Sequence, residues 1–245
     1  MLSENTLKFI TRVLNEFNLP YMSMKFKERE VGLSTVKEPI ALRLDGVRFG
    51  KSLKGFKEPR DEVVHKALVE SAKELLKRFN ALMAYVVSDE VNLIMANYLP
   101  YGGRVFKLIS IASSILSAHI SLILKRPLYF DSRIVKLNNA NEIKEYLYFR
   151  ARVGINNYIS KSYHQIKKLG ITPPTKDMLN YLMNTMNLVE RIKDWEIVGT
   201  CIFWDTAPKK GFNPLTKEVV TTERRIIKET SDIEFCINKA LRTFS

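Results

Sequence analysis

The 245-residue sequence holds two cysteines, three histidines and two tryptophans. Cys201 and Cys236 lie outside any Cys-x-x-Cys pair, and His65, His119 and His164 are scattered, so no zinc-ligand spacing exists. So few cysteines argue against a disulfide framework and for a reducing compartment, with a cytoplasmic location expected. Glycine and proline are sparse too, at 10 and 9 residues, and form no low-complexity linker. Internal repeats are absent. Glu4, Lys8 and Arg12 interrupt the apolar core that a secretory leader needs. Acidic side chains fall short of basic ones, 26 against 39, and the net charge of +13 favours a polyanionic partner.

Long apolar runs are equally scarce. Leu108 to Leu124 comes nearest, at the short end of spanning length. It carries Ser110, Ser113, Ser114, Ser117, His119 and Ser121, with Lys107 and Lys125 at its ends. A buried core helix is the expectation, with no membrane partner.

The chemistry-bearing stretch is Ala41 to Gly50, ALRLDGVRFG. Leu42 and Leu44 alternate with Arg43 and Asp45 as on a strand, and Gly46 ends the run where a side chain would block close approach to the backbone. A carboxylate there suits a hard cation carrying a triphosphate. A second acid pair, Ser88-Asp89-Glu90, separates two apolar runs, Leu82 to Val87 and Val91 to Ala96, as the tip of a hairpin would. Two strands that each deliver an aspartate to one sheet edge can clamp two metal ions for phosphoryl transfer.

Along the chain, residues 4–17 have helical spacing, and an irregular connector leads to the first strand. Asp61 can cap a helix with Val64, Leu68, Leu75 and Phe79 as its buried stripe. The two hairpin strands follow, then a helix from Arg104 to Lys125 and a strand within Pro127 to Ile134. The order β, α, β, β, α, β is a ferredoxin-like split, the plan of polymerase palms and nucleotide cyclases, and by itself licenses no activity. The second half reads as a helix from Asn141 to Lys168, interrupted near Gly154, and another from Thr175 to Val189. A strand from Val198 to Trp204, a turn at Lys209-Lys210-Gly211, a returning strand from Val219 to Lys228 and a helix over 232–244 complete it. The expected fold class is α+β: an antiparallel sheet with helices on one face, plus a helical and β-hairpin annex. The palm would take residues 1–138, with the N-terminal helix, and the annex residues 139–245.

RLDGVRF followed by SDE resembles the tRNA-His guanylyltransferase family and its guanylyltransferase-like relatives, most of all the archaeal ones. The resemblance continues through Gly102 to Lys107, Phe130-Asp131-Ser132-Arg133, Arg150, Asn156-Asn157, Trp195, Gly199, Phe203-Trp204-Asp205, Gly211 to Thr216 and Arg224-Arg225-Ile226. It implies a nucleotidyltransferase that adds nucleotides in the 3′–5′ direction to the 5′ end of tRNA, by end repair or by G-1 addition to tRNA-His. Two Mg²⁺ ions, with ATP, GTP or other NTPs as substrates, and assembly as a homodimer or homotetramer go with it.

On this sequence the resemblance assigns Asp45, Gly46 and Asp89 to the metals, with Asp45, Asp89 and Glu90 as the catalytic acids. Nucleotide contacts fall to Asp45, Gly46, Val47, Arg48, Phe49, Gly50, Asp61, Ser88, Asp89 and Lys107. RNA contacts fall to Arg43, Arg104, Arg133, Arg150, Asn156 and Asn157. Departures occur at Val47, Gly50, Glu58, Arg152 and Gly154, the last standing where eukaryotic members carry a tRNA-contacting His. Two other classes stay open: a non-catalytic tRNA-binding paralogue and a palm-fold nucleotide cyclase.

Overall fold

The structure, a computed structural model, describes residues 34–167, 172–186, 192–213, 215, 218–242 and 244. The helix expected at residues 4–17 and the connector before residue 34 lie outside the described residues. Thr35 onward forms one compact unit.

Six strands build one antiparallel sheet in the order β4-β1-β3-β2-β5-β6. They are β1 (Ile40–Gly46), β2 (Met83–Val87), β3 (Glu90–Met95), β4 (Phe130–Lys136), β5 (Thr200–Asn213) and β6 (Glu218–Thr230). The first four reproduce the split βαββαβ arrangement. One face packs on α2 (Glu62–Phe79) and α3 (Val105–Leu124) through Leu42, Leu44, Leu68, Leu75, Leu108 and Leu116. The other is covered by α4 (Ala140–Ile166) and α7 (Ile233–Arg242) through Tyr85, Val87, Ile143, Leu147 and Ile237. The single-turn α1 (Phe49–Ser52), α5 (Thr175–Met186), α6 (Asp194–Val198) and a 3-10 turn at Pro100–Gly103 complete the described helices.

Local chemistry accounts for the element ends. Asp61 caps α2 by accepting from the Val63 and Val64 amides at 2.8 and 3.2 Å. Lys77 and Arg78 occupy its last turn, where cations suit the helix dipole. The apolar run expected to be a buried helix is α3, and only one stripe of it is buried: Leu108, Ala112, Leu116, Ile120 and Leu124. Phe106, Leu122 and Ile123 stay exposed. α3 is therefore a one-sided lid on the sheet, not a fully enclosed core helix.

Three further expectations are corrected. α4 runs unbroken through Gly154, because glycine is there for packing and not for a break. A Cβ at Gly154 would overlap the Val87 side chain, so its absence sets how close α4 lies to β2. Gly154→Ala should cost about 1–3 kcal/mol despite alanine's better helix propensity. Thermal unfolding of the variant checks this, and an unchanged Tm would show that α4 can retreat freely.

Second, β5 does not turn at Lys209-Lys210-Gly211 but stays paired with β6 to Asn213↔Glu218. β2 pairs with β5 only from Thr200 to Phe203, so one edge of the arm is free beyond that point and tolerates Pro208. Third, Cys201 of β5 and Cys236 of α7 are joined in a disulfide, Cα atoms 6.3 Å apart. Both are fully buried in the second core layer, a juxtaposition that a sequence separation of 35 does not reveal.

Candidate active site

β1 ends in Asp45-Gly46 between two partners. Asp45 stands opposite Glu90 of β3 on one side and Asp131 of β4 on the other. The Gly46 amide donates to the Asp89 carbonyl at 3.1 Å, which brings the hairpin tip against the end of β1. The two acids read from sequence thus share one end of the sheet. Asp45 Oδ2 accepts from Arg43 Nη2 at 3.0 Å, and Asp89 Oδ1 accepts from Ser88 Oγ at 2.9 Å. Among the described residues the second oxygen of each carboxylate has no recorded partner.

Glu90 is different. Only 5% exposed, it accepts from Arg150 Nε at 2.8 Å, again from Arg150 Nη2, and from Asn92 Nδ2 at 2.7 Å, with Arg43 Nε 3.4 Å away. Tyr146 extends the network by donating to Asn92 Oδ1. Burial, then the Glu90 charge, pushes the Tyr85 and Tyr146 phenols above their ordinary range. Glu90 therefore spends its lone pairs behind the site and is not placed as a metal ligand. The same network corrects two RNA assignments. Arg150 is buried in the ion pair with Glu90, and Arg43 bridges Asp45 and Glu90. Alternation hides this, since a basic residue in a long helix reads as exposed unless its buried counter-ion is known.

A cleft opens beside Asp89. Of the expected nucleotide contacts it is lined by Phe49, Gly50, Asp61, Ser88 and Asp89; Leu53, Phe56, Arg60 and Lys161 line it unforeseen. Asp45, Gly46, Val47 and Arg48 adjoin it in sequence without lining it, and Lys107 does not line it. The Val47 amide is withdrawn from the expected nucleotide contacts, because it donates to the Tyr129 carbonyl at 2.8 Å. The missing Cβ of Gly46 makes room for a neighbouring side chain. A Cβ there would overlap the Phe49 ring, which packs edge-on against Phe130 with centroids 4.9 Å apart.

Asp61 also has its oxygens engaged, with Oδ2 accepting from the Lys57 amide at 2.9 Å in addition to the α2 cap. Its part is to set the loop between residues 57 and 61. Arg126 secures the loop before it, donating to the Ser52 and Lys54 carbonyls at 3.0 and 3.3 Å and stacking 4.6 Å from the Phe56 centroid. Behind the cleft, His65 stacks on Trp195 and meets Thr200 Oγ1 at 2.8 Å. Burial, helped by the Arg60 charge, holds its imidazole down to about 4, so it is neutral at neutral pH.

The remaining RNA candidates lie outside the cleft. Arg104 is exposed at the start of α3, donating to the Tyr101 carbonyl at 2.9 Å. Arg133 pairs with Asp131 at 3.1 Å on the edge strand. Asn156 accepts from Arg152, and Asn157 is exposed.

No group of three His, Cys, Asp or Glu side chains suited to a metal occurs among the described residues. Two carboxylates with free oxygens and a nearby carbonyl are nonetheless a fitting set for Mg²⁺, which takes one or two carboxylates and fills its remaining positions from phosphate and water. The hard-oxygen chemistry fits; a softer ion has no ligand here.

Known proteins resemble this chain in sequence and in fold. The tRNA(His) guanylyltransferase of Saccharomyces cerevisiae is 32% identical over 152 residues, covering 55% of this chain and 64%, less than two thirds, of the yeast protein. An uncharacterized protein of Acanthamoeba polyphaga mimivirus is 25% identical over 239 residues, covering 83% of this chain and 76% of its own. Among solved structures, a bacterial tRNA(His) guanylyltransferase (Thg1)-like protein in complex with GTP superposes with a TM-score of 0.72 at 21% identity, covering 91% of this chain and 99% of the other. The counterpart in complex with ATP gives 0.68 at 23% identity, covering 76% and 88%. These likenesses establish the palm fold. The model of the family described as "Thg1: tRNAHis guanylyltransferase" matches residues 21–155, more than half of the chain and the whole segment that carries Asp45, Ser88, Asp89 and Glu90. By that match the chain belongs to the Thg1, tRNAHis guanylyltransferase, family.

Proposed function

We propose that this protein is a Mg²⁺-dependent nucleotidyltransferase that adds nucleotides in the 3′–5′ direction to the 5′ end of tRNA, using ATP, GTP or other NTPs. The observation that carries the reading is the convergence of Asp45 and Asp89 at one end of the sheet, each with an uncommitted carboxylate oxygen, beside a cleft with apolar and cationic walls. Asp45, the Gly46 carbonyl and Asp89 would hold the metal. When bound, Mg²⁺ lowers the pKa of an attacking hydroxyl and neutralises the charge of a leaving pyrophosphate. Ser88 orients Asp89 through its hydrogen bond. Arg43 orients Asp45, and Glu90 with Arg150 anchors Arg43 from behind. Phe49, Leu53 and Phe56 give the cleft the apolar wall that a base requires. The basic surface, with Arg104, Arg133 and Asn157 exposed, would follow the tRNA backbone, in a homodimer or homotetramer whose annex begins near residue 139.

The test is incubation of 5′-truncated and full-length tRNAs with labelled NTPs and Mg²⁺. Products one nucleotide longer at the 5′ end are expected. A tRNA mobility shift without extension would mean a binding protein and end the catalytic reading.

A further inference from the structure

Arg60 lines the cleft, and neither the fold nor the reading above uses its chemistry. It precedes the α2 cap, and its Nη1 donates to the Pro59 carbonyl at 3.0 Å. Its Nη2 is buried and has no hydrogen-bond partner. The guanidinium lies 5.9 Å from the centroid of the Tyr158 ring on α4. Two carboxylates are close enough to act on its charge, Asp89 and Glu196, yet neither accepts its hydrogen. Glu196 is engaged elsewhere, with the Lys193 amide at 3.3 Å and Lys57 Nζ at 3.9 Å. Asp89 belongs to the metal in the proposed reaction.

A buried guanidinium N–H without an acceptor is costly to maintain, and guanidinium does not escape the cost by losing its proton. The missing partner must be an acceptor that enters the cleft. An anion suits it best, because charge-assisted hydrogen bonds are about twice as strong as neutral ones and Arg matches phosphate geometry. Arg60 lines the same cleft as Asp89, whose charge acts on it.

We propose that Arg60 is a phosphate-contacting residue, its buried Nη2 taking an oxygen of the bound nucleotide's triphosphate chain. This rests on the nucleotide reading of the cleft and adds to it the residue that senses the phosphates from the protein side.

Equilibrium binding separates the two ideas. GTP, ATP, guanosine, adenosine and inorganic triphosphate would be titrated, with Mg²⁺, into the wild-type protein, Arg60→Gln and Arg60→Lys. Arg60→Gln should weaken GTP, ATP and inorganic triphosphate by about ten- to a hundredfold, with nucleosides held within about twofold. Arg60→Lys should restore part of the loss, and the ligand-free Tm of Arg60→Gln should not fall. Unchanged triphosphate affinity in Arg60→Gln overturns the proposal. So does an equal loss for nucleoside and triphosphate, which would make Arg60 a reader of the base or a strut of the cleft. A wild-type protein that binds none of the five ligands overturns the nucleotide reading itself, and Arg60 with it.

Discussion

Asp89→Asn should abolish 5′ nucleotide addition, by at least about a thousandfold, and leave the protein folded with tRNA binding intact. The substitution is nearly isosteric. The amide oxygen can still accept from Ser88, and the Asp89 backbone carbonyl still takes the Gly46 amide, so both contacts that shape the hairpin tip survive. What goes is one negative charge that the neighbouring acids do not replace, because Glu90 is tied to Arg150 and Asp131 is paired with Arg133. Charge stabilisation by a metal is worth several kcal/mol of barrier, and about 4 kcal/mol corresponds to the stated factor. Single-turnover extension of a labelled tRNA, beside a mobility shift at matched concentration, measures both halves. Activity within tenfold of wild type would remove Asp89 from the metal and the mechanism with it.

Arg150→Leu should lower stability by about 3 kcal/mol or more, the largest effect expected from a single change outside the cleft. Leucine is accommodated at this buried position on α4, so the loss comes from Glu90, whose carboxylate stays in the core without its bidentate partner. Asn92 and Arg43 remain beside it and keep the cost from rising further. Adding Glu90→Gln to Arg150→Leu removes the stranded charge and should recover most of the stability, as replacing both members of a buried pair often does. Urea unfolding of the two single variants and the double one gives the cycle. A double variant as unstable as Arg150→Leu alone would show that Arg150 acts by packing and not by charge.

Much of this was legible along the chain because it is local. Alternation announced β1 and the β2–β3 hairpin, and helical spacing behind Asp61 announced α2. The acids at Asp45 and Asp89 could be read as strand-end residues from their own neighbours. Glu90 could not be separated from Asp89 in that way. Successive residues entering a strand point to opposite sides, and which side is buried depends on α4, a helix that begins fifty residues further on in the numbering at Ala140. The burial of Arg150 and the bond between Cys201 and Cys236 depend likewise on partners remote in sequence.

By itself, then, the sequence determined the order of the main elements, the Asp61 cap, the basic surplus and the two aspartates, all set by short-range propensity and composition. Only the tertiary structure decided which charges are consumed in the core and which glycines serve packing. Those outcomes depend on the distance between groups that the chain itself holds far apart, and burial makes each such pairing strong where water would have made it weak.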